Sequence, residues 1–241
     1  MDVDKRKDES MSVSVCMAVH NGSSFIKDQV DSILPQLHAQ DELVISDDGS
    51  SDDTLEILRS YSDERIKILS IQKFGSPVKN FEFALSHCQN DFIFLSDQDD
   101  IWHPEKIKSM LQVLSTFDLA VCDCRIVNGE LSTIRNSFFE LNSSKKGLLK
   151  NFFKSSFVGC CMAFRKEVLT KALPFPAGIT MHDQWIGLVA QRYFRVNFIP
   201  QILVDHRRHG GNYSTTGELS QNSWGKKVIS RVKLAKMLLQ R

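Results

Sequence analysis

The apolar positions of the first hundred residues switch repeatedly between two periods. Ser12 to Val19 (SVSVCMAV) is a short, β-prone apolar run. Phe25, Ile26, Val30, Ile33, Leu34 and Leu37 then recur at helical spacing, which predicts a helix over Ser24 to Leu37. Leu43 to Ser46 (LVIS) predicts a second strand, Asp52 to Tyr61 a short helix capped by Ser or Asp, and Arg65 to Ile71 a third strand. Val78 to His87 reads as a helix with Phe81, Ala84 and Leu85 inward, and Asp91 to Leu95 (DFIFL) as a buried strand. Short apolar strands alternating with helices imply parallel pairing through right-handed crossovers, a Rossmann-like α/β half.

The second half is less regular. Asp118 to Cys122, Val158 to Phe164 (VGCCMAF) and Val196 to Asp205 read as strands. Helices are expected from Lys166, up to the break at Pro174 and Pro176, and over His182 to Tyr193. Asn128 to Ser144 is polar and reads as loop. Gly210 to Ser223 is a polar link to a basic tail.

The 241 residues are enough for one large domain or two small ones. An apolar fraction of 42% and a charged fraction of 24% exclude wholesale disorder and a disulfide-dense miniature fold. No apolar run approaches the roughly 18 residues that span a bilayer. Met1 to Ser10 has no apolar core and reads as a disordered N-terminus, not a secretion signal. The six cysteines show no CxxC pair and no zinc spacing, as expected of buried, reduced thiols.

The net charge of +1 conceals a split. No acidic residue follows Glu218, while Lys226, Lys227, Arg231, Lys233, Lys236 and Arg241 do. The first 218 residues thus carry 24 basic against 29 acidic residues, a net of −5. Within the tail, Trp224, Val228, Val232, Ala235 and Leu239 fall at helical spacing. A basic amphipathic helix with an interfacial Trp fits an anionic membrane surface; the alternative is a helix docked on the body with its lysines exposed. Nucleic acid is not expected as a partner, because the body is acidic and lacks an aromatic-basic platform.

Two carboxylate clusters follow predicted strands: Asp47-Asp48, and Asp97-Gln98-Asp99-Asp100. Ligands of an open α/β sheet bind at the carboxyl ends of its strands. Acids converging there repel one another unless a cation sits among them, and hard carboxylates suit Mg²⁺ or Mn²⁺ carrying a diphosphate. The alternative is that each cluster caps the next helix or forms an Asx turn. No GxxxxGK[ST] and no GxGxxG after the first strand occurs, so phosphate handling falls to metal and basic side chains.

AVHNG (18–22), SDDGSSDDT (46–54), FGSPVKNFEFAL (74–85), FLSDQDDIWHPEK (94–106), HDQW (182–185) and HRRHGGN (206–212) occur in this order. Together they resemble the family 2 glycosyltransferases of the GT-A fold. The similarity is greatest to the bacterial branch that builds O-antigen and capsule repeat units with rhamnosyl- or glucosyltransferases. The resemblance covers about residues 12 to 215 and implies a mostly parallel Rossmann-like sheet flanked by helices. It further implies a nucleotide-binding half (11–105), an irregular acceptor half (106–215) and the amphipathic tail (219–241).

The resemblance also implies roles. Asp47 and Asp48 hold the nucleoside, with Ala18 and Asn21 lining the pocket and Gly75, Lys79 and Asn80 in the loop that closes over it. Asp97 and Asp99 form the DXD motif around Gln98, Asp99 ligating metal and Asp97 contacting ribose or metal. Asp100 faces the donor sugar, and Trp102 shapes that pocket. Asp183 is the general base of an inverting transfer, the alternative being a helix cap. Arg207 and Arg208 precede a Gly-Gly loop that closes on the diphosphate, and His209 is a candidate third metal ligand. Gly159 to Ala163 either leave room for a sugar or pack as a core strand. The branch more often reads Tyr-Asn, HDWW and Tyr-Arg-Gln-His where this chain has His20-Asn21, His182-Asp183-Gln184-Trp185 and His206-Arg207-Arg208-His209.

The expected activity is therefore metal-dependent, inverting transfer of a glucose- or rhamnose-type hexose from a UDP- or dTDP-linked donor. Its acceptor is a sugar on a polyprenyl diphosphate, and its place the inner face of the bacterial cytoplasmic membrane. Two alternatives remain at this level. One is a HAD-like phosphohydrolase built on the Asp97–Ile101 stretch, the other a silent nucleotide-sugar-binding protein.

Overall fold

A computed structural model describes residues 11–212 and 224–241. The expected disordered N-terminus (1–10) and most of the polar link to the tail lie outside these residues.

The parallel half follows the apolar pattern closely. Strands β1 (Val13–Val19), β2 (Glu42–Asp47), β3 (Ile66–Ile68) and β4 (Phe92–Ser96) pair in parallel in the order β3-β2-β1-β4. Their crossovers run through α1 (Ile26–Ile33), α2 (Thr54–Arg59) and α3 (Pro77–His87). Helix α1 stops short of its predicted end because Pro35 tightens Leu34–Gln36 into a 3₁₀ turn. Each of β1, β2 and β4 is buried along nearly its whole length. That explains why they read as continuous apolar runs and not as alternation.

After β4 the chain forms β5 (Ile101–Trp102), α4 (Lys106–Leu114) and the long β6 (Leu119–Asn128). The segment expected as loop, Asn128 to Ser144, instead holds an edge strand β7 (Thr133–Arg135) on β6 and a short helix α5 (Phe138–Asn142). Asp123 organises that helix. Its carboxylate accepts hydrogen bonds from Ser137 Oγ and, at 2.9 Å, from the Phe139 amide. A tertiary carboxylate thus supplies what local periodicity lacked. Helix α6 (Leu148–Phe153) follows, then β8 (Met162–Arg165), α7 (Leu169–Ala172), α8 (His182–Tyr193), β9 (Val196–Arg208) and the tail helix α9 (Trp224–Leu239).

Strand β8 runs antiparallel between β4 and β6, and β9 runs parallel to β6 and antiparallel to β5. Among the described residues the result is one mixed nine-stranded sheet with β5 and β7 at its periphery. One apolar core joins the two halves, with Phe94, Phe164, Trp185 and Ile186 in it. All six cysteines are buried and free, as expected.

The apolar run from Val158 forms a strand only from Met162 on; Gly159–Cys161 is a 3₁₀ turn. The Cys161 amide closes this turn on the Val158 carbonyl at 2.9 Å, and the buried Lys106 Nζ donates to the Cys160 carbonyl at 2.6 Å and lies 3.3 Å from the centroid of the Trp102 ring. An ammonium buried without a carboxylate partner needs such acceptors.

The tail helix lies on the body. Leu234 and Leu238 are buried, Arg192 donates to the Leu238 carbonyl, and Arg241 donates to the Leu173 carbonyl at 3.2 Å. Val232 and Leu239, two members of the apolar stripe read from the sequence, stay exposed on the opposite side. No described helix is long and apolar enough to cross a membrane.

Candidate functional site

The carboxyl ends of β1, β2 and β4 open into a cleft of about 380 Å³. Its floor carries Asp97, Gln98 and Asp99 after β4, one wall carries Ala18, Asp48, Gly75 and Asn80, and the other carries Gly159 and Asp183. The sequence-predicted donor and base residues therefore meet in one place, although they lie far apart along the chain.

The wall formed by Ala18, Asp48, Gly75 and Asn80 is held by side chains turned inward. Asp48 accepts hydrogen bonds from the backbone amides of Phe74, Gly75 (3.0 Å) and Ser76 (3.1 Å), which fixes the loop ahead of α3. Asn80 donates to the carbonyls of Val19 and Ser46 and accepts from Ser46 Oγ, tying the ends of β1 and β2. Gln98 pairs with both backbone groups of His20, at 2.8 and 3.1 Å. That approach requires glycine at 22, where a Cβ would stand 2.6 Å from Gln98 Oε1.

The carboxylate cluster is strongly polarised. Burial, then the charges of Asp100 and Asp99, push Asp97 well above the ordinary carboxylate range. Asp99 is raised in the same way, by burial and by Asp100. Its Oδ2 lies 2.8 Å from His209 Nε2 and accepts from Asn212 Nδ2 at 3.0 Å. Asp100 sits deeper. Burial alone would raise it, but His206 outweighs that and holds it low, with Nδ1 2.9 Å from Asp100 Oδ1. Reciprocally, burial alone would lower His206, whereas Asp100 carries it well above its ordinary value.

Two buried carboxylates whose ionisation is suppressed by burial and by the neighbouring Asp100 offer hard oxygen donors of the kind a divalent cation takes. Asp99 and His209 stand together with donors that suit Mg²⁺ or Mn²⁺, whereas Asp97 does not join them in one tight cluster; among the described residues, the potential ligand atoms that all lie within 4.8 Å of one another belong to Asp100, Cys160 and His206.

Across the cleft, Asp183 occupies the first turn of α8, where the helix N-terminus favours negative charge. Its Oδ1 accepts the Gln184 amide at 2.6 Å. Burial nevertheless dominates and raises Asp183 to about 6, a value that suits a base working near neutrality. Gly159 lies against it. A Cβ at 159 would come within 3.2 Å of His182 Nε2, so glycine keeps this wall open.

Several expected residues stand outside the cleft lining. Asp47 is fully buried beneath it and accepts the Ser50 amide at 2.8 Å. Asn21 is exposed and accepts the Ser51 amide, and Lys79 is exposed on α3. Asp100 is fully buried and is not among the residues that line the cleft; His206 Nδ1 and the Arg207 amide both meet its Oδ1, and its Oδ2 has no partner among the described residues. Trp102 is buried beneath Lys106 and is not among the residues that line this cleft. Arg207 turns away: its guanidinium pairs with Asp28 at 3.1 Å and lies 4.8 Å from the Phe25 ring centroid. Arg208 lines the cleft instead. Alternation along β9 decides this, since neighbours on a strand face opposite sides.

Sequence reasoning gave no role to His182, His206, Phe81 and Asn212, all of which line the cleft. His182 stacks on Phe81 with ring centroids 3.9 Å apart, and neither ring nitrogen has a partner among the described residues. Burial lowers His182 to about 3, so its imidazole is neutral. The HDQW segment was singled out, and its His could have been flagged with its Asp.

A parallel α/β half with strand-end carboxylates and a further carboxylate at a helix start are the features of a glycosyltransferase of the GT-A type. The chain belongs to glycosyl transferase family 2, whose sequence model matches residues 14–173. That membership removes the phosphohydrolase and silent-binder alternatives. The chain is 28% identical over 253 aligned positions to the dTDP-rhamnosyl transferase RfbG of Shigella flexneri, covering 90% of this chain and 83% of that one. It is 26% identical over 166 positions to the Escherichia coli UDP-Glc:alpha-D-GlcNAc-diphosphoundecaprenol beta-1,3-glucosyltransferase WfgD, covering 68% and 64%. The crystal structure of S. aureus TarS 1-349 in complex with UDP-GlcNAc superposes with a TM-score of 0.72 at 20% identity, covering 93% of this chain and 66% of that one. The fold is therefore shared over nearly the whole chain, which spans about two thirds of that solved relative.

Proposed function

We propose that the cleft binds a UDP- or dTDP-linked hexose of the glucose or rhamnose type. The hexose passes, with inversion, to a sugar carried on a polyprenyl diphosphate during bacterial surface polysaccharide synthesis, of the O-antigen or capsule kind. The observation that carries this reading is the placement of Asp183 opposite Asp97 and Asp99 across one cleft. The relatives that use dTDP-rhamnose, UDP-glucose and a diphosphoundecaprenol acceptor support the choice of donor and acceptor classes.

Asp97, Asp99 and His209 would hold Mg²⁺ or Mn²⁺, which supplies positive charge to the leaving diphosphate. Ala18, Asp48, Gly75 and Asn80 face the nucleoside, Asp48 chiefly by fixing the 74–76 amides. Arg208, on the cleft, takes the diphosphate role expected of Arg207. Asp183 accepts the proton of the acceptor hydroxyl as that oxygen bonds to the anomeric carbon. The bond from that carbon to the diphosphate oxygen breaks on the opposite face, releasing nucleoside diphosphate and leaving the proton on Asp183. A single side-chain base suffices, because the leaving group departs as an anion and not as an alkoxide needing a general acid. His182, neutral and unpartnered beside Asp183, offers a hydrogen bond to a sugar hydroxyl. Such work places the protein at the cytoplasmic face of the membrane, with no nucleic acid partner.

The test is a panel of nucleotide sugars screened by thermal shift with Mn²⁺, followed by transfer to a lipid diphosphate sugar analogue. A stabilising donor whose hexose appears on the acceptor supports the reading. Phosphate release without sugar transfer overturns it.

A further inference from the structure

Helix α6 exposes its large apolar side chains. Leu149 is 77% and Phe153 67% exposed, and, four residues apart, they share one helix face. Lys145 and Lys146 nearby are exposed, while Lys150 Nζ donates to Ser156 Oγ and Lys154 Nζ to the Asn142 carbonyl at 3.0 Å. These lysines are close in space as well as in sequence: burial, then the charges of Lys154 and Lys145, lower Lys150. From Leu141 to Lys166 the chain has no acidic residue.

The fold then sets the second acid-free segment beside the first. Arg231 of α9 donates to the Phe153 carbonyl at 3.0 Å, and its guanidinium lies 6.0 Å from the Phe152 ring centroid. The adjoining Val232 is 52% exposed, and Lys233 and Lys236 are exposed with it. The tail read from the sequence as a membrane device is thus docked by Leu234 and Leu238, and its basic residues extend the charged surround of α6. This face also adjoins the catalytic side of the cleft. Gln184, next to Asp183, reaches the Asn151 carbonyl of α6 at 3.4 Å.

We propose that Leu149 and Phe153 insert into an anionic membrane surface, with the exposed Lys145 and Lys146 against the lipid headgroups and Lys150, Lys154 and Arg231 adding positive charge behind them. Apolar side chains ringed by lysines gain from both the interface and the surface potential. A second copy of the chain does not fit this face, because a twofold contact would oppose lysines to lysines. Resting on the function proposed above, the contact holds Asp183 near headgroup level, where the diphosphate of a lipid-linked acceptor lies.

The full chain is sedimented with phosphatidylcholine vesicles with and without phosphatidylglycerol. Binding is expected only with phosphatidylglycerol, and 0.5 M salt is expected to weaken it, by roughly the screening of several exposed charges. Leu149→Asp with Phe153→Ser should lower the vesicle partition coefficient by about tenfold or more. Lys145→Ser with Lys146→Ser should lower it by roughly tenfold through lost surface charge. All four side chains are exposed, so the variants should keep the parent Tm and transfer to a water-soluble acceptor. Equal binding to both vesicle types, or unchanged binding of the Leu149/Phe153 variant, overturns the proposal. So does a dimer, or an RNA complex, that this variant abolishes. If vesicle binding behaves as expected but no acceptor is glycosylated, the membrane face stands and the function proposed above fails.

Discussion

Lys106 and Cys160 are joined by one hydrogen bond, from the lysine Nζ to the cysteine carbonyl oxygen at 2.6 Å. Both residues are fully buried, and the bond holds the turn that presents Gly159 to Asp183. Lys106→Met keeps the volume and the contact with Trp102 but leaves the Cys160 carbonyl unpaired. The expected loss is about 1–3 kcal/mol of stability, offset in part because a buried charge is also removed. Thermal unfolding reads this loss, and kcat should fall with it as the turn loosens.

Asp183 gives the reaction its expected pH profile. Burial raises it to about 6, so kcat/KM should climb through a midpoint near pH 6 as the carboxylate forms. Asp183→Asn should lower kcat by about 10²- to 10⁴-fold with donor affinity unchanged. Stability should move the other way. A carboxyl whose folded value exceeds its unfolded value loses stability as pH rises through the folded value. At pH 8 the Asn variant should therefore unfold at or above the parent temperature.

Asp99 and its neighbours should make transfer metal-dependent. Chelation with EDTA is expected to stop transfer, and added Mn²⁺ or Mg²⁺ to restore it. Asp99→Ala should lower kcat/KM at least about a hundredfold, since a divalent ion held there would supply several kcal/mol of charge stabilisation to the leaving diphosphate. Calorimetry with Mn²⁺ and donor checks that the loss lies in metal-assisted binding.

The two neighbouring arginines should separate cleanly. Arg208→Ala should raise the donor KM with little change in Tm. Arg207→Ala removes a buried side chain paired with Asp28 and stacked over Phe25, so it should lower Tm. A cost of about 1–3 kcal/mol is expected from the lost packing and charged hydrogen bond.

His182 should make the fold acid-sensitive. It is held near 3 when folded, so its contribution is complete above its unfolded value of 6.5 and is lost as pH falls from there. Between pH 7 and 4, the Tm of the parent should drop more steeply than that of His182→Phe. The same variant should raise KM for a sugar substrate, because the phenyl ring keeps the stack on Phe81 and loses both ring nitrogens.

The sequence by itself determined the parallel half and the family to which the chain belongs. Runs such as DFIFL can only be strands buried on both faces, and the carboxylates that follow them must emerge where such a sheet binds ligands. Helix α8 begins and ends where its pattern predicts. Local patterning also singled out Asp48, Asp97, Asp99 and Asp183, each of which reaches the cleft. The tertiary structure decided what depends on partners distant in sequence. Strand alternation exchanged Arg207 for Arg208. A buried lysine bonds the Gly159–Cys161 turn where a strand was expected and covers Trp102. His206 pairs with an Asp100 that is buried out of the cleft lining, and Asp123 ordered a segment that reads as loop. The basic tail, amphipathic on paper, found an apolar body for one face. These outcomes turn on where a charge is buried and what it meets there, and a one-dimensional pattern does not carry that information.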